Sequence, residues 1–156
     1  MARSVRLSTD EAWGVLGRAH TGVLTSLRRD GTPISLPVWF VVLDRRIYVS
    51  GPSSTKKFAR IRNDPRVSFL VEAGERWAEL VGVQVTGRAG LVDDADLGAR
   101  VAAALREKYS AFRTPREQMP ETTRARYESA VSTIEIVADD RLLSWDNARL
   151  VPGARG

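Results

Sequence analysis

The chain has 156 residues, 43% of them hydrophobic, which predicts a single domain over residues 1–156 with a core of about residues 8–150. It contains no cysteine and one histidine, His20, which excludes disulfides, thiolate catalysis and a metal site of several histidines from one chain. No window carries the roughly 18 to 20 consecutive apolar residues of a membrane span, and the N-terminus lacks the apolar block of a signal peptide, so we expect a cytoplasmic protein.

The chain is basic, with 24 lysine and arginine residues against 19 acidic residues and a pI near 10.2. Only three of the basic residues are lysines, and the arginines are scattered along the chain without one dense tract. The one tight cluster lies within residues 56–66, KKFARIRNDPR. A local cluster favours a small polyanionic ligand over a long polymer, so we expect no specific nucleic-acid partner and only weak, salt-sensitive binding of nucleic acid.

Hydrophobic periodicity and turn signals predict a short leading helix followed by strands. Ser8 and Glu11 form a capping-box pattern, which begins an amphipathic helix that ends before Gly22. Asp30-Gly31 is a strong hairpin signal between the first two strands. Strands are predicted over residues 22–28, 34–43, 46–50, 67–72, 80–92 and 132–137, and further helices over residues 54–63, 97–105 and within 110–130.

Six antiparallel strands with hairpin spacing and few helices predict a mainly β (α+β) fold, a small closed or split β-barrel of six antiparallel strands with flanking helices. The strand over residues 34–43 has apolar residues on both faces. One face would fill the barrel and the other needs a cover, so we expect a homodimer. Pro37 removes a ladder donor in the middle of this strand, which confines it to an edge, a bulge or a gap where a flat heterocycle can lie.

A phosphate site is suggested where small residues, SGPSS over residues 50–54, leave a strand and enter a helix. Ser54 is the expected N-cap, so the backbone N–H groups of Thr55, Lys56 and Lys57 would point out of the positive end of the helix. This arrangement favours a bound anion. The alternative is an ordinary capped surface helix with solvated lysines, and the segment alone does not decide between the two.

Five segments together carry a resemblance to a known family. They are GTPISLP and SLPVWFVV in the second strand, STKKFARIRNDPRVSFLVE around the proposed phosphate helix, and GVQVTGRAGLVDD and RLLSWDNARL after it. Over about residues 8–150 the chain resembles the pyridoxamine phosphate oxidase-like split-barrel superfamily, and more narrowly its actinobacterial branch of deazaflavin- and flavin-dependent oxidoreductases. The positions that match the pattern of that branch are Pro37, Val38, Trp39, Phe40, Thr55, Lys57, Ile61, Asp64, Pro65 and Arg66.

The resemblance implies a dimer of split barrels with two cofactor grooves at the interface. The cofactor phosphate would meet Ser54, Thr55 and Lys57, and we expect Lys57 to matter most. The ring system would lie along the backbone of Pro37, Val38, Trp39 and Phe40, near Ser50 and Gly51.

Two further positions bear on the cofactor. Arg60 stands where the family often has asparagine, and its charge would favour the longer acidic tail of a deazaflavin over flavin mononucleotide (FMN), unless the side chain points to water. Trp77 follows the fourth predicted strand, where related proteins often carry an aromatic that approaches the ring bound by the partner protomer. A rim aromatic within the dimer contact is the alternative for Trp77.

These features together predict an oxidoreductase that binds a deazaflavin cofactor of the F-420 type and transfers hydride to a conjugated small-molecule acceptor. A reduced deazaflavin delivers hydride from its own carbon, so the sequence identifies no catalytic residue, and Tyr48, Tyr109, Tyr127 or water would supply a proton. One alternative is an FMN-binding flavoprotein of the same fold, an oxidase or an electron carrier. The other is a non-catalytic module that binds a cofactor or a haem-derived compound. Oxidation of pyridoxamine phosphate itself is not expected, because the additional arginine and histidine residues that such enzymes use are not evident.

Overall fold

Four α-helices and eight β-strands make up the described part of the chain, residues 4–152, in the computed structural model. The helices are α1 (Thr9–Arg18), α2 (Lys56–Asn63), α3 (Ala95–Tyr109) and α4 (Glu121–Glu128). The strands are β1 (Gly22–Leu27), β2 (Pro33–Val38), β3 (Val41–Leu43), β4 (Arg46–Pro52), β5 (Arg66–Ala73), β6 (Val81–Leu91), β7 (Val131–Ala138) and β8 (Leu143–Asp146). Short 3₁₀ turns cover Trp77–Glu79, Ser110–Phe112, Arg116–Gln118 and Asn147–Leu150.

Seven strands are hydrogen-bonded in the order β2-β1-β5-β6-β7-β4-β3, and β8 pairs with β6 beside this path. All of these pairings are antiparallel. The mainly β class, an antiparallel half-barrel with flanking helices, is therefore confirmed. The expected count of six strands is wrong, because residues 34–43 form two strands, β2 and β3, and because the sequence pattern does not predict β8.

The break between β2 and β3 is explained by contacts from helix α3. The Phe40 N–H donates to the Tyr109 hydroxyl over 3.0 Å, and the Phe40 carbonyl accepts from Lys108 Nζ over 3.0 Å. Side chains of α3 therefore replace the sheet partners that the Phe40 backbone would need in a continuous strand.

Strand β8 is held by a close approach of its backbone and side chains to β6. It has four residues, which is too short for an alternating pattern to be recognised. Its Trp145 pairs with Gly82, and a Cβ at Gly82 would lie 2.2 Å from the indole. The indole therefore occupies space that only glycine leaves open.

Two local predictions near the N-terminus are confirmed. The Ser8 hydroxyl accepts from the Glu11 N–H over 3.2 Å, and the Glu11 carboxylate accepts from the Ser8 N–H over 2.8 Å. These bonds form the predicted capping box. In the hairpin between β1 and β2, Gly31 has a φ of 83°, a backbone conformation that favours glycine.

Helix α2 begins at Lys56, two residues later than predicted, and Ser54 is not its N-cap. The Thr55 N–H donates to the Pro52 carbonyl over 3.0 Å, which closes a turn over residues 52–55. Thr55 is therefore the N-cap, with extended φ and ψ. Its hydroxyl donates to the Pro52 carbonyl over 2.9 Å and makes no capping bond to the helix. The Thr55 N–H, which was expected to face an anion, is therefore hydrogen-bonded within this turn.

Apolar side chains form two clusters on opposite sides of β3 and β4. The larger cluster fills the barrel, where Phe40, Phe58 and Phe69 are fully buried together with residues of α1 and α2. The smaller, here called the outer cluster, joins α3 to the other face of β3 and β4 and comprises Val41, Tyr48, Val101, Leu105 and Tyr109. Helix α3 thus ends beside the break between β2 and β3.

Strand β2 is an edge strand, in agreement with the position predicted for Pro37. It pairs with β1 on one side, and Leu36 is 41% exposed on it. The predicted single domain includes residues 1–3 and 153–156, which lie outside the described residues, and it stays a prediction. From residue 4 to residue 152, no helix is long and apolar enough to cross a membrane.

Candidate functional site

Lys57 lies in the first turn of α2 with its ammonium group against strand β4. Its side chain is half-buried, whereas Lys56 is exposed. Lys57 Nζ donates to Thr55 Oγ1 over 3.2 Å, and a Cβ placed on Gly51 would stand 3.0 Å from Nζ. Gly51 therefore leaves the space in which the ammonium group lies. The two neighbouring lysines differ accordingly, and only Lys57 faces the barrel.

The charge of Lys57 lacks a negative partner within residues 4–152. The ion pairs of this part of the chain include neither Lys57 nor Arg60. Burial lowers the pKa of the Lys57 ammonium, and the positive charges of Arg60 and Arg126 lower it further. A half-buried cation beside two others is unfavourable until an anion binds among them. These three residues are here called the cation cluster.

One hydroxyl group contacts the Lys57 ammonium, and two further hydroxyls lie beside Gly51 at the end of β4. Thr55 Oγ1 accepts from Lys57 and donates to a main-chain carbonyl of β4. The hydroxyl oxygens of Ser53 and Ser132 are 2.8 Å apart, and Ser132 pairs with Gly51 across β4 and β7. The Thr55 proton is used by the Pro52 carbonyl, and one proton of the Ser53–Ser132 pair is used within the pair, so that pair keeps one O–H for a ligand.

Arg60 follows Lys57 by three residues, so both lie on one face of α2. Its Nε donates to Ser26 Oγ over 2.8 Å, and Ser26 is buried in β1. The side chain therefore lies along the barrel and does not extend into water. Its two terminal nitrogens make no hydrogen bond within the described residues, so they are available to an anion.

The structure divides the predicted site residues between two faces of β4. Successive side chains of a strand point to opposite faces, so Ser50 and Gly51 do not share a face. Gly51 faces Lys57, whereas the Ser50 hydroxyl lies 2.6 Å from the Thr133 hydroxyl on the face that carries Tyr48 and α3. Within one chain, the sheet separates the Ser50 hydroxyl from the cation cluster.

Trp39 lies on the α3 side of the break between β2 and β3. Its indole stacks on the Tyr109 ring, with centroids 4.3 Å apart and planes 3° from parallel. The His20 ring packs edge-on against Tyr109 at 5.3 Å and against Phe112 at 4.5 Å. Trp39 remains 37% exposed. The stack presents a flat aromatic surface beside the edge strand β2, and His20 belongs to this aromatic group.

The other predicted site residues are dispersed in one chain. Pro37 and Val38 pair with β1, and the Phe40 ring is fully buried, so Phe40 offers only its backbone. Ser54 is exposed in the turn before α2. Trp77 is 62% exposed in the 3₁₀ turn between β5 and β6. The roles of these residues in binding stay predictions.

The three tyrosines considered as proton donors occupy different environments. Tyr48 donates to Glu135 over 2.7 Å, and burial together with that carboxylate raises the pKa of Tyr48 to about 12. Tyr109 is fully buried, and burial raises the pKa of its hydroxyl. Tyr127 is 58% exposed on α4. Tyr48 and Tyr109 thus hold their protons within the fold, and Tyr127 is the tyrosine that water reaches most freely.

Three residues near these groups are not singled out by the sequence pattern. Arg126 is one charge among several on α4, and nothing in its spacing links it to α2. Ser132 had a usable signal, because pairing the strand that begins at Arg46 with the strand over residues 132–137 sets it opposite Gly51. Lys108 also had one, since it is the only lysine outside the pair at residues 56–57 in an arginine-rich chain.

Comparison with known proteins identifies the family. Residues 8–138 match the family model described as Pyridoxamine 5'-phosphate oxidase. A crystal structure of a conserved hypothetical protein from Mycobacterium tuberculosis is similar, with 29% identity, a TM-score of 0.79, and coverage of 97% of this chain and 93% of that one. A FAD-binding protein from Mesorhizobium loti has 20% identity, a TM-score of 0.67 and coverage of 88% and 93%. A heme binding protein from Mycobacterium smegmatis has 18% identity, a TM-score of 0.67 and coverage of 93% of this chain and 60% of that one.

Because the family model spans most of the chain, the chain belongs to the pyridoxamine 5'-phosphate oxidase family, as the resemblance predicted.

Proposed function

We propose that the chain is an oxidoreductase that binds a deazaflavin cofactor of the F-420 type and transfers hydride to a conjugated small-molecule acceptor. The cation cluster carries this proposal. Burial and two neighbouring arginines lower the pKa of Lys57, and no carboxylate within residues 4–152 compensates it. A phosphate group would supply the missing charge, and every flavin-type cofactor of this kind carries one.

The residues present fit such a cofactor. Lys57, Arg60 and Arg126 would hold its phosphate, with the Thr55 hydroxyl holding the Lys57 ammonium in place, and the backbone of residues 37–40 would hold its ring. When bound, a reduced deazaflavin supplies hydride from its own ring carbon. The chain binds and orients the two reactants and excludes water.

A second copy of the chain would complete the groove. Leu36 and Trp39 are 41% and 37% exposed beside the free edge of β2, and Ser50 lies across the sheet from Lys57. Covering this apolar edge with the same surface of another protomer would bury these side chains. We therefore propose a homodimer with two grooves at its interface.

Two observations bear on the choice between cofactors. Arg60 and Arg126 add two positive charges beside Lys57, which favours a ligand with several negative charges over the single phosphate of FMN. One similar protein is named for FAD binding, so an FMN-binding flavoprotein stays one alternative. Another is named for heme binding, so a non-catalytic binding module stays the other.

Titration of the purified protein with F-420 and with FMN tests the proposal, with fluorescence of the cofactor as the readout. We expect tighter binding of F-420, and Lys57→Ala should weaken it about tenfold to a hundredfold, because a charge-assisted contact is worth about 1.5–3 kcal/mol. Lys56→Ala is the matched control and should lose distinctly less affinity, because Lys56 points about 100° away around α2. Equal affinity of the wild type and Lys57→Ala would show that the phosphate binds elsewhere. Binding of FMN alone would favour the flavoprotein alternative.

A further inference from the structure

Tyr109, the last residue of α3, connects three separate segments through one hydroxyl group. Its hydroxyl accepts from the Phe40 N–H over 3.0 Å, and it lies 2.7 Å from the His20 carbonyl and 3.0 Å from the Phe40 carbonyl. A hydroxyl has one proton to donate, and the shorter distance favours His20 as its acceptor. The Phe40 carbonyl accepts from Lys108 as well. The N–H and the carbonyl of Phe40 are therefore both hydrogen-bonded, although no neighbouring strand pairs with them.

Tyr109 also holds the side chain of Trp39, the residue before Phe40. The Tyr109 ring stacks on the Trp39 indole at 4.3 Å with nearly parallel planes, and the ring itself is fully buried. Lys108 Nζ lies 3.9 Å from the centroid of the Phe40 ring. Trp39 and Phe40 are therefore held by α3 through backbone bonds and ring contacts together.

This arrangement lies where the sheet ladder is interrupted. Between β2 and β3, the backbone of residues 39 and 40 has no strand partner that fixes its direction. The backbone in such a gap keeps a fixed direction beside a ligand only if something else holds it in place. Helix α3 supplies that support from a residue 69 positions away in the chain.

We propose that Tyr109 is a positioning residue that fixes the Trp39–Phe40 backbone for the ring of the cofactor. The inference rests on the proposed function, because it concerns the ring end of the same groove. Within residues 4–152, the hydrogen bonds and ring contacts of Tyr109 reach neither the cation cluster nor its hydroxyl groups. Its removal should therefore weaken the binding of a ring while the binding of a phosphate group alone is unchanged.

Tyr109→Phe tests this proposal, since it deletes the hydroxyl and keeps the stacked ring. Tyr48→Phe is the matched control, because Tyr48 belongs to the same outer cluster and its hydroxyl is also hydrogen-bonded, but to Glu135. For each protein, the affinities for F-420, FMN and inorganic phosphate are measured by titration. Acrylamide quenching of tryptophan fluorescence is also measured for each protein with and without Trp39→Phe. The difference between the two measurements gives the quenching of the Trp39 indole.

We expect Tyr109→Phe to lose about two- to tenfold in affinity for the ring-bearing cofactor, as for one lost hydrogen bond, and to keep its affinity for inorganic phosphate. Quenching of Trp39 should increase in this variant and not in Tyr48→Phe. The proposal is overturned if Tyr109→Phe binds the cofactor as the wild type does, or if Tyr48→Phe shows the same loss. Absence of cofactor binding by the wild type would instead overturn the proposed function, and the positioning role would fall with it.

Discussion

Lys57 and Lys108 are both half-buried lysines, but their surroundings differ. Lys108 donates to the Phe40 carbonyl over 3.0 Å and lies 3.9 Å from the Phe40 ring centroid, so a dipole and an aromatic face stabilise its charge. Lys57 has one hydroxyl partner, lies 4.9 Å from the Phe58 ring centroid and has two neighbouring cations. The two lysines therefore differ mainly in that cations surround Lys57, so an anion that binds there would be attracted by several charges.

The first prediction at this scale concerns the protonation of Lys108. Burial lowers the pKa of its ammonium group from the ordinary 10.5 to about 8. The unfolded chain then binds more protons than the folded chain above about pH 8, so the free energy of unfolding should rise with pH from about 8 to 10. NMR titration of labelled lysine side chains should show one of the three signals with a midpoint near 8. That signal should vanish in Lys108→Met, and the rise in stability should become shallower. Three midpoints above 10 would contradict the prediction.

At the scale of elements, helix α4 contributes one charge, Arg126, to the proposed phosphate site. None of its side chains is buried, so packing alone contributes little to its position. Its Arg126 nevertheless lies close enough to Lys57 to lower the pKa of that ammonium group. An anion that binds between the two residues would tie α4 to α2, and the helix would be better ordered in the complex.

A second prediction follows for Arg126. Arg126→Ala should weaken cofactor binding about two- to fivefold, because an exposed charge contact is worth about 0.2–1 kcal/mol. Arg124→Ala is the control, since it removes the same charge from α4 at a position about 200° around the helix. The difference between the two variants should shrink as salt is added, because salt screens exposed charges. Titrations at low and high ionic strength measure this difference, and identical affinities at low salt would exclude Arg126 from the site.

Apart from the N-cap of α2, elements with local signals were predictable, and elements set by distant contacts were not. The capping box of Ser8 and the turn at Gly31 depend on residues within a few positions, so the sequence places them correctly. The interruption at Phe40 depends on Tyr109, 69 residues later, which no periodicity in residues 34–43 could reveal. For the site, the pattern identifies Lys57 because its neighbours are adjacent in sequence. Arg126 was missed because only the folded chain brings α4 to α2.

For the whole molecule, association and net charge act in opposite directions. The chain carries a formal net charge of +5, which repels a second copy. Exposed apolar side chains favour association, and they include Leu36 and Trp39 at the edge of β2 as well as Trp77, Leu91 and Leu143 elsewhere. A dimer requires that apolar burial exceed this repulsion, so its formation should become stronger as salt is added.

The prediction at this scale is a dimer in solution, with twice the 17.2 kDa mass of one chain. Leu36→Glu should shift the species toward the monomer, because it would bury a charge at the proposed interface. Leu143→Glu places the same charge on β8, which pairs with β6 and not with β1, and should leave the dimer intact. Light scattering at micromolar concentration distinguishes these outcomes. A monomeric wild type would contradict the dimer. A monomer produced by Leu143→Glu and not by Leu36→Glu would place the interface elsewhere.

The free edge of β2 also affects how the protein resists aggregation. Pro33 and Pro37 both belong to this strand, and prolines in edge strands have their nitrogen facing away from the neighbouring strand. Backbone orientation repeats every second residue, so residues 33, 35 and 37 face outward together, and only Ser35 among them has an N–H to offer. Another strand cannot extend the ladder along this edge. The protein can therefore expose an apolar strand for specific association through side chains while the backbone remains a poor template for fibrils.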